Sequence, residues 1–308
     1  MDPILVFLGV STGHSAVHRL FGEWTSCLGV PLTLKGQDVP LGAPPAAYRR
    51  LVEEWRPATS RVQGVLVTSH KTALFDAAAD LVDEITPDAR RLREIGLIYR
   101  RGSRLIADAA DSEANQHVAR RLLGGSPTWK QGDKTAIVLG GGGAGVALTY
   151  SLAHARDLEC SSVTVAESNP RRAETVRDLV RTWQATVPIA IATVGSSADE
   201  IVGSAGPGSL IANATGLGKD RPGSPVTADV RFPLGSFVWD FNYRFVRQDS
   251  PTFLETASAQ AAERGLTIED GWHYFVLGWL VVMSRVVGVD ARGCSECFSR
   301  AAAAIRST

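Results

Sequence analysis

The chain has 308 residues, of which 44% are hydrophobic and 21% charged: a globular composition, long enough for two domains with separate cores. Lys plus Arg and Asp plus Glu stand at 32 each, so no positive field draws phosphate backbones, which excludes nucleic acid as the main partner. The opening Met1-Asp2-Pro3 lacks a basic start and no stretch approaches the roughly 20 apolar residues of a membrane span, so a cytoplasmic protein without membrane contact is expected.

Strand-like and helix-like runs alternate up to Asp111. Residues 4–10 are rich in β-forming side chains, and residues 15–28 carry apolar residues at helical spacing. A second strand (31–34), a second helix (45–55) and a third strand (64–68) follow. Two helices (71–85 and 87–95) then precede short strands at 96–100 and 104–108, which flank the turn Arg101-Gly-Ser. Strands alternating with helices of this length predict parallel βαβ units that bind ligands at the carboxyl ends of the strands.

Residues 113–123 read as a linking helix, and 124–128 as a break. Thr135-Ala-Ile-Val-Leu139 then runs into Gly140-Gly-Gly-Gly-Ala-Gly-Val-Ala147, a buried strand entering a glycine turn and a helix that begins near Ala144. Gly140, Gly142 and Gly145 have the spacing in which one glycine makes the tight turn, one admits a pyrophosphate and one lets helix and strand pack closely. With Gly143 and Ala144 they place a phosphate at unpaired helix N–H groups. Glu167 follows about 20 residues on, at the end of the strand 162–166, where a carboxylate holds a ribose 2′-OH. The rhythm continues with a helix at 170–183, strands at 188–194, 209–214 and 236–241, a helix at 253–265 and a strand at 266–269. Two last helices, 272–287 and 295–305, complete the chain. The expected fold is α/β in two domains: residues 1–112 with 272–308 as a substrate domain with a mostly parallel sheet, and 113–271 as a Rossmann-like doubly wound NAD(P)-binding domain.

Four cysteines are too few for a disulfide framework at this length. Cys294 and Cys297 form a C-x-x-C without the second pair or spaced histidine of a zinc site, so they read as two small residues of a terminal helix, and no metal is expected.

Together these pieces resemble the shikimate/quinate dehydrogenase family over nearly the whole chain. The glycine turn is similar to the family's G-x-G-G-A-x-x-A, Asn213-Ala-Thr-Gly-Leu-Gly218 to its N-A-T-x-x-G, and Asp240-Phe-Asn-Tyr243 to its D-x-x-Y. Val67-Thr-Ser-His-Lys71 resembles V-T-x-P-x-K with one residue fewer, and Arg104-Leu-Ile-Ala-Asp-Ala-Ala-Asp111 resembles x-L-x-G-x-N-T-D. The resemblance implies a dehydrogenase with a catalytic pair, Lys71 and Asp111. Moving a hydride off a secondary alcohol requires the hydroxyl proton to leave, and an ammonium held by a carboxylate both polarises the oxygen and exchanges its proton. It also implies cofactor contacts from Asn213, Thr215 and Gly218, and substrate contacts from Thr68 and Tyr243.

Members that use NADP carry N-R-T after the second nucleotide strand, whereas this chain has Glu167-Ser168-Asn169. An acid repels a 2′-phosphate and pairs with a free ribose diol, which favours NAD; Arg171 and Arg172 keep NADP open. The family's H-S-x-S-P-x-x-H corresponds to Ser11-Thr-Gly-His-Ser-Ala-Val-His18, so Thr12 and His14 stand where two serines hold the substrate carboxylate, and Tyr99 replaces an asparagine. These departures predict a small polar cyclic polyol other than plain shikimate, with His70 and His273 as further candidates for the altered pocket. Two alternatives stand beside this reading: a non-catalytic sensor of the same fold, and a reductase of an open-chain keto or amino acid. A monomer or homodimer is expected.

Overall fold

The structure, a computed structural model, describes residues 2–219, 222–243, 248–289 and 291–306. The chain divides into two compact units, Met1–Asp111 with Val276–Thr308, and Ser112–Phe275.

The first unit contains β1 (Ile4–Gly9), α1 (Val17–Leu28), β2 (Thr33–Asp38), α2 (Pro45–Trp55), β3 (Val62–Val67), α3 (Lys71–Ala78), β4 (Glu84–Ile85), α4 (Pro87–Leu92), β5 (Leu97–Arg101) and β6 (Arg104–Asp108). Their sheet has the order β2-β1-β3-β5-β6-β4, with β1 parallel to both neighbours and β5 antiparallel to β3 and β6. β1 is a continuous apolar run because it is covered on both faces: Leu5, Val6, Phe7 and Leu8, whose side chains alternate between the faces, are all buried. One face of the sheet closes a core of Leu8, Tyr48, Val52, Trp55, Val65, Leu74 and Ile98. Proline at the first turn starts α2 and α4, where its missing N–H costs no helical bond.

The second unit contains α5 (Asp111–Leu123, its first residue in the first unit), α6 (Pro127–Gln131), β7 (Thr135–Leu139), α7 (Gly143–His154), β8 (Ser162–Glu167), α8 (Pro170–Arg181), β9 (Ile189–Thr193), α9 (Asp199–Gly203), β10 (Leu210–Asn213), β11 (Phe237–Asp240), α10 (Phe253–Arg264) and β12 (Thr267–Glu269). Every pairing in its sheet is parallel, in the order β12-β11-β10-β7-β8-β9. That is the 3-2-1-4-5-6 winding of a dinucleotide-binding domain, with its switch point between β7 and β10. A reciprocal cap fixes the start of α10, where the Thr252 hydroxyl accepts from Glu255 N and the Glu255 carboxylate accepts from Thr252 N.

The chain ends in α11 (Trp272–Val287) and α12 (Ser295–Arg306). In the first unit α12 lies against α1, where Trp24 stacks on Phe298 at 5.0 Å and its indole N–H donates to the Phe298 carbonyl. Cys27 and Cys297 form a disulfide between these two helices. This corrects the sequence expectation, which read Cys297 as a small residue of a terminal helix: it is disulfide-bonded to α1, a pairing that spacing does not encode. A second difference concerns residues 71–85. The helix stops at Ala78, and Glu84–Ile85 instead pair with Ile106 and Ala107 of β6 as an added edge strand. Among the described residues no helix is long and apolar enough to cross a membrane.

Candidate active site

In the first unit the carboxyl ends of β3 and β6 deliver Lys71 and Asp111. Lys71 opens α3, Asp111 opens α5, and the Lys71 ammonium donates a hydrogen bond to Asp111 Oδ2. The lysine is 9% exposed, so this is a largely desolvated pair and not a surface bridge. The turn before α3 is anchored by His70, whose Nδ1 lies 3.0 Å from the Tyr48 hydroxyl and whose Nε2 lies 3.3 Å from the Gly9 carbonyl oxygen. Both ring nitrogens are thus engaged by core groups, and His70 supports the loop. Thr68 is exposed on the same turn and donates to the Leu8 carbonyl at 3.2 Å.

The connection from α4 to β5 passes beside Lys71. Ile95 N donates to the Lys71 carbonyl at 3.1 Å, and a Cβ on Gly96 would lie 3.6 Å from Lys71 Cε. Glu94, 1% exposed, stands in this connection, and its Oε1 has no hydrogen-bond partner. Burial pushes the Glu94 carboxyl up to about 7, the Lys71 charge opposing and the Asp111 charge adding to the rise. Burial pulls Lys71 down, but the negative charges of Asp111 and Glu94 outweigh it, so its net shift is upward and the side chain is an ammonium. Glu94 escaped the sequence reading, since a lone acid beside an arginine and ahead of a glycine looks like a solvated turn.

Tyr99, read from sequence as a substrate contact, lies within β5 ahead of the hairpin turn. Tyr99 pairs with Gly64 and with Ile106, toward the amino end of β3, whereas Gly96 is the residue whose carbonyl meets Val67 N at the carboxyl end. The Arg101 guanidinium covers the Tyr99 ring at 4.7 Å. Thr12 is buried, and both its N–H and its hydroxyl donate to Asp38 Oδ1, at 2.8 and 2.7 Å. The backbone bond first and the hydroxyl bond second hold Asp38 below the usual carboxylate range. His14 is exposed beside it.

In the second unit β7 turns into α7 through Gly140, whose φ of +100° favours glycine. A Cβ on Gly145 would come within 1.9 Å of the Gly140 carbonyl oxygen, so helix and turn touch backbone to backbone. Gly142 is different: its φ is ordinary, and nothing lies within 4 Å of its Cβ position. Gly142 is also the N-cap of α7 without a side-chain capping bond, and Gly143 and Ala144 form the helix's first turn. Open space before a helix start that no side chain caps fits a diphosphate.

Glu167 ends β8 at 3% exposure, with Oε2 accepting from Gly141 N and Oε1 from Asn169 N, both at 2.8 Å. Arg172 approaches Oε2 at 3.7 Å. Gly140, Gly142, Glu167, Ser168, Arg172 and Thr215 line a cleft of about 170 Å³. Asn169 caps α8, its side chain accepting from Arg171 N and Arg172 N. Asn213, fully buried at the end of β10, accepts from Thr215 N at 3.0 Å and Thr215 Oγ1 at 2.6 Å and donates to Asp240 Oδ1 at 3.1 Å. Asn213 therefore shapes the loop that presents Thr215, and Gly218 turns it with φ of +84°. Burial pushes the Asp240 carboxyl up to about 7. Tyr243 packs against Trp272 and Phe275 at ring distances of 5.5 and 4.6 Å. His273 is bound to Glu269 at 2.7 Å and to Arg121, a clasp at the end of β12.

The parallel 3-2-1-4-5-6 sheet, the glycine turn and the acid at the end of β8 define a Rossmann-type nucleotide-binding protein. No family model matches the chain. It is 32% identical over 283 residues to the NADP(+) shikimate dehydrogenase of Rhodospirillum rubrum, covering 90% of this chain and 87% of the relative. The fold matches shikimate 5-dehydrogenase of Thermus thermophilus in complex with NADP(H) and shikimate, at 24% identity and a TM-score of 0.69 over 97% of this chain and 99% of that one. Quinate dehydrogenase of Corynebacterium glutamicum in complex with NAD gives a TM-score of 0.71 at 17% identity, over 97% and 99%. The chain belongs to the shikimate dehydrogenase family, oxidoreductases that act on CH–OH groups.

Proposed function

We propose that this protein transfers hydride between a nicotinamide dinucleotide and a secondary alcohol or ketone of a cyclic polyol, with Lys71 and Asp111 as its proton-handling dyad. The observation that carries this reading is the desolvated Lys71–Asp111 hydrogen bond at the carboxyl ends of β3 and β6. The nicotinamide supplies or accepts the hydride. As an ammonium, Lys71 donates to the substrate oxygen and stabilises the charge that grows there as a ketone is reduced; in the reverse direction its neutral amine takes up the hydroxyl proton. Asp111 orients the ammonium and compensates its charge.

Glu167 supports NAD as the preferred nucleotide. Both its oxygens already hold backbone N–H groups, so its charge is fixed beside the cleft, where a 2′-phosphate would meet it. Arg172 stands close enough to soften that repulsion, and the Rhodospirillum relative is an NADP(+) enzyme.

The pocket supports a substrate other than plain shikimate. Ala109 and Ala110 occupy the asparagine and threonine positions of the N-T-D segment, and the Thr12 hydroxyl proton is committed to Asp38. Fewer donors face a polyol, and a site built for particular hydroxyls discriminates strongly between analogues. Activity with a panel of cyclic polyols, shikimate and quinate included, tests the reading. Lys71→Ala should abolish turnover and leave nucleotide affinity near wild type; unchanged turnover would remove the dyad, and shikimate emerging as the best substrate would remove the altered pocket.

A further inference from the structure

Glu94 is the buried ionisable group that the dyad leaves unexplained. Its backbone N–H donates to the Ala89 carbonyl at 3.1 Å, closing α4 as Arg93 turns through a left-handed φ of 50°. The Arg93 guanidinium is directed elsewhere, to Asp76 at 2.8 Å and over the Phe75 ring at 5.4 Å, so the neighbouring cation does not serve Glu94. Ile95 and Gly96, the next two residues, lie against the Lys71 backbone and side chain. A carboxyl at 1% exposure with an orphan oxygen is costly for a fold to retain, unless its charge acts on something nearby.

We propose that Glu94 is a positioning residue of the Lys71–Asp111 pair: a second carboxyl that holds the Lys71 ammonium in its donor state and absorbs the change of charge when the pair exchanges a proton. The inference rests on the dyad reading above. The charged groups acting on Glu94 are Lys71, from the start of α3, and Asp111, from the start of α5. With Glu94 protonated, the cluster is a neutral ammonium–carboxylate pair. With Glu94 ionised, Lys71 meets two negative charges and binds its proton more tightly. Because burial moves Glu94 up to about 7, the alternation falls near neutral pH. In alcohol oxidation the C–H electron pair leaves as hydride, for which an oxidised nicotinamide would be the acceptor, and the O–H proton passes to the neutral Lys71 amine, whose hold on it an ionised Glu94 strengthens. In ketone reduction the proton returns to the new hydroxyl oxygen.

The test reads Lys71 directly and needs no substrate. The chain has five lysines, Lys35, Lys71, Lys130, Lys134 and Lys219, so the Lys71 signal of protein labelled with 13C at lysine Cε is assignable by its loss in K71A. In the wild type the Lys71 signal should inflect near pH 7 as Glu94 titrates, and in E94Q, which keeps volume and removes the charge, that inflection should vanish. Superimposable wild-type and E94Q curves overturn the proposal. If E94Q does not fold, the wild-type curve decides alone, an inflection near pH 7 supporting the proposal and a flat curve refuting it. Turnover of K71A tests the dyad separately, so failure of Glu94 and failure of the dyad are told apart.

Discussion

Two glycines of one turn separate stability from binding. Gly145→Ala places a methyl 1.9 Å from the Gly140 carbonyl oxygen, where contacts below 3.0 Å are essentially unknown, so α7 and the turn must part by roughly 1 Å. Both partners are backbone and neither can rotate aside. Overpacking of this kind costs about 1–3 kcal/mol, and the thermal midpoint should fall together with nucleotide affinity. Gly142→Ala meets nothing within 4 Å, and its φ of −76° suits alanine, so the midpoint should stay close to wild type. A diphosphate resting in that open space must nevertheless retreat from the new methyl group, weakening NADH and NADPH alike by at least about tenfold, or ~1.4 kcal/mol. Differential scanning calorimetry with isothermal titration of both nucleotides separates the two variants. G142A binding both nucleotides within about twofold of wild type would refute the phosphate assignment.

Removing the Glu167 charge with Glu167→Gln should narrow the preference for NADH over NADPH by about tenfold in titration, as expected for ~1.4 kcal/mol of lost repulsion; an unchanged ratio would discard the electrostatic basis for NAD. Asp240 gives a pH prediction. Its folded pKa, raised to about 7 by burial, lies above that of an unfolded aspartate, so its contribution is full below about pH 4 and is lost as pH rises through 7. Asp240→Asn can keep the acceptor for Asn242 N and does not ionise, so its thermal midpoint should gain on the wild type by several degrees between pH 4 and pH 7. A pH-independent difference would show that Asp240 does not titrate in that range.

Much of this architecture was legible because the punctuation was strong. α2 and α11 run over the residues read from sequence, the former announced by Pro45 at its first turn, and β6 likewise begins and ends as predicted. What failed was short or long-range. α6 and α9 are too brief to carry a helical period, and Glu84–Ile85 belongs to a strand only because β6 offers an edge. In the candidate site, Lys71 and Asp111 were singled out through motifs and are hydrogen-bonded in the structure, but hydrogen-bond register is invisible in a single chain. The pairing of Tyr99 with Gly64 and Ile106 was therefore not readable, and Glu94, buried beside the dyad, was not singled out at all. The Cys27–Cys297 bond spans a separation of 270 residues, beyond any local signal.

The carboxylate of Glu167 that the proposed function sets against a 2′-phosphate also holds the loop, since the amides of Gly141 and Asn169 both donate to it. A lineage or an engineer seeking to exchange nucleotides cannot simply reverse its sign, because an arginine there accepts no hydrogen bond and strands two donors. On the proposed NAD reading, coenzyme selectivity and loop rigidity must therefore change in concert, and a switch needs a compensating acceptor elsewhere before the charge is altered.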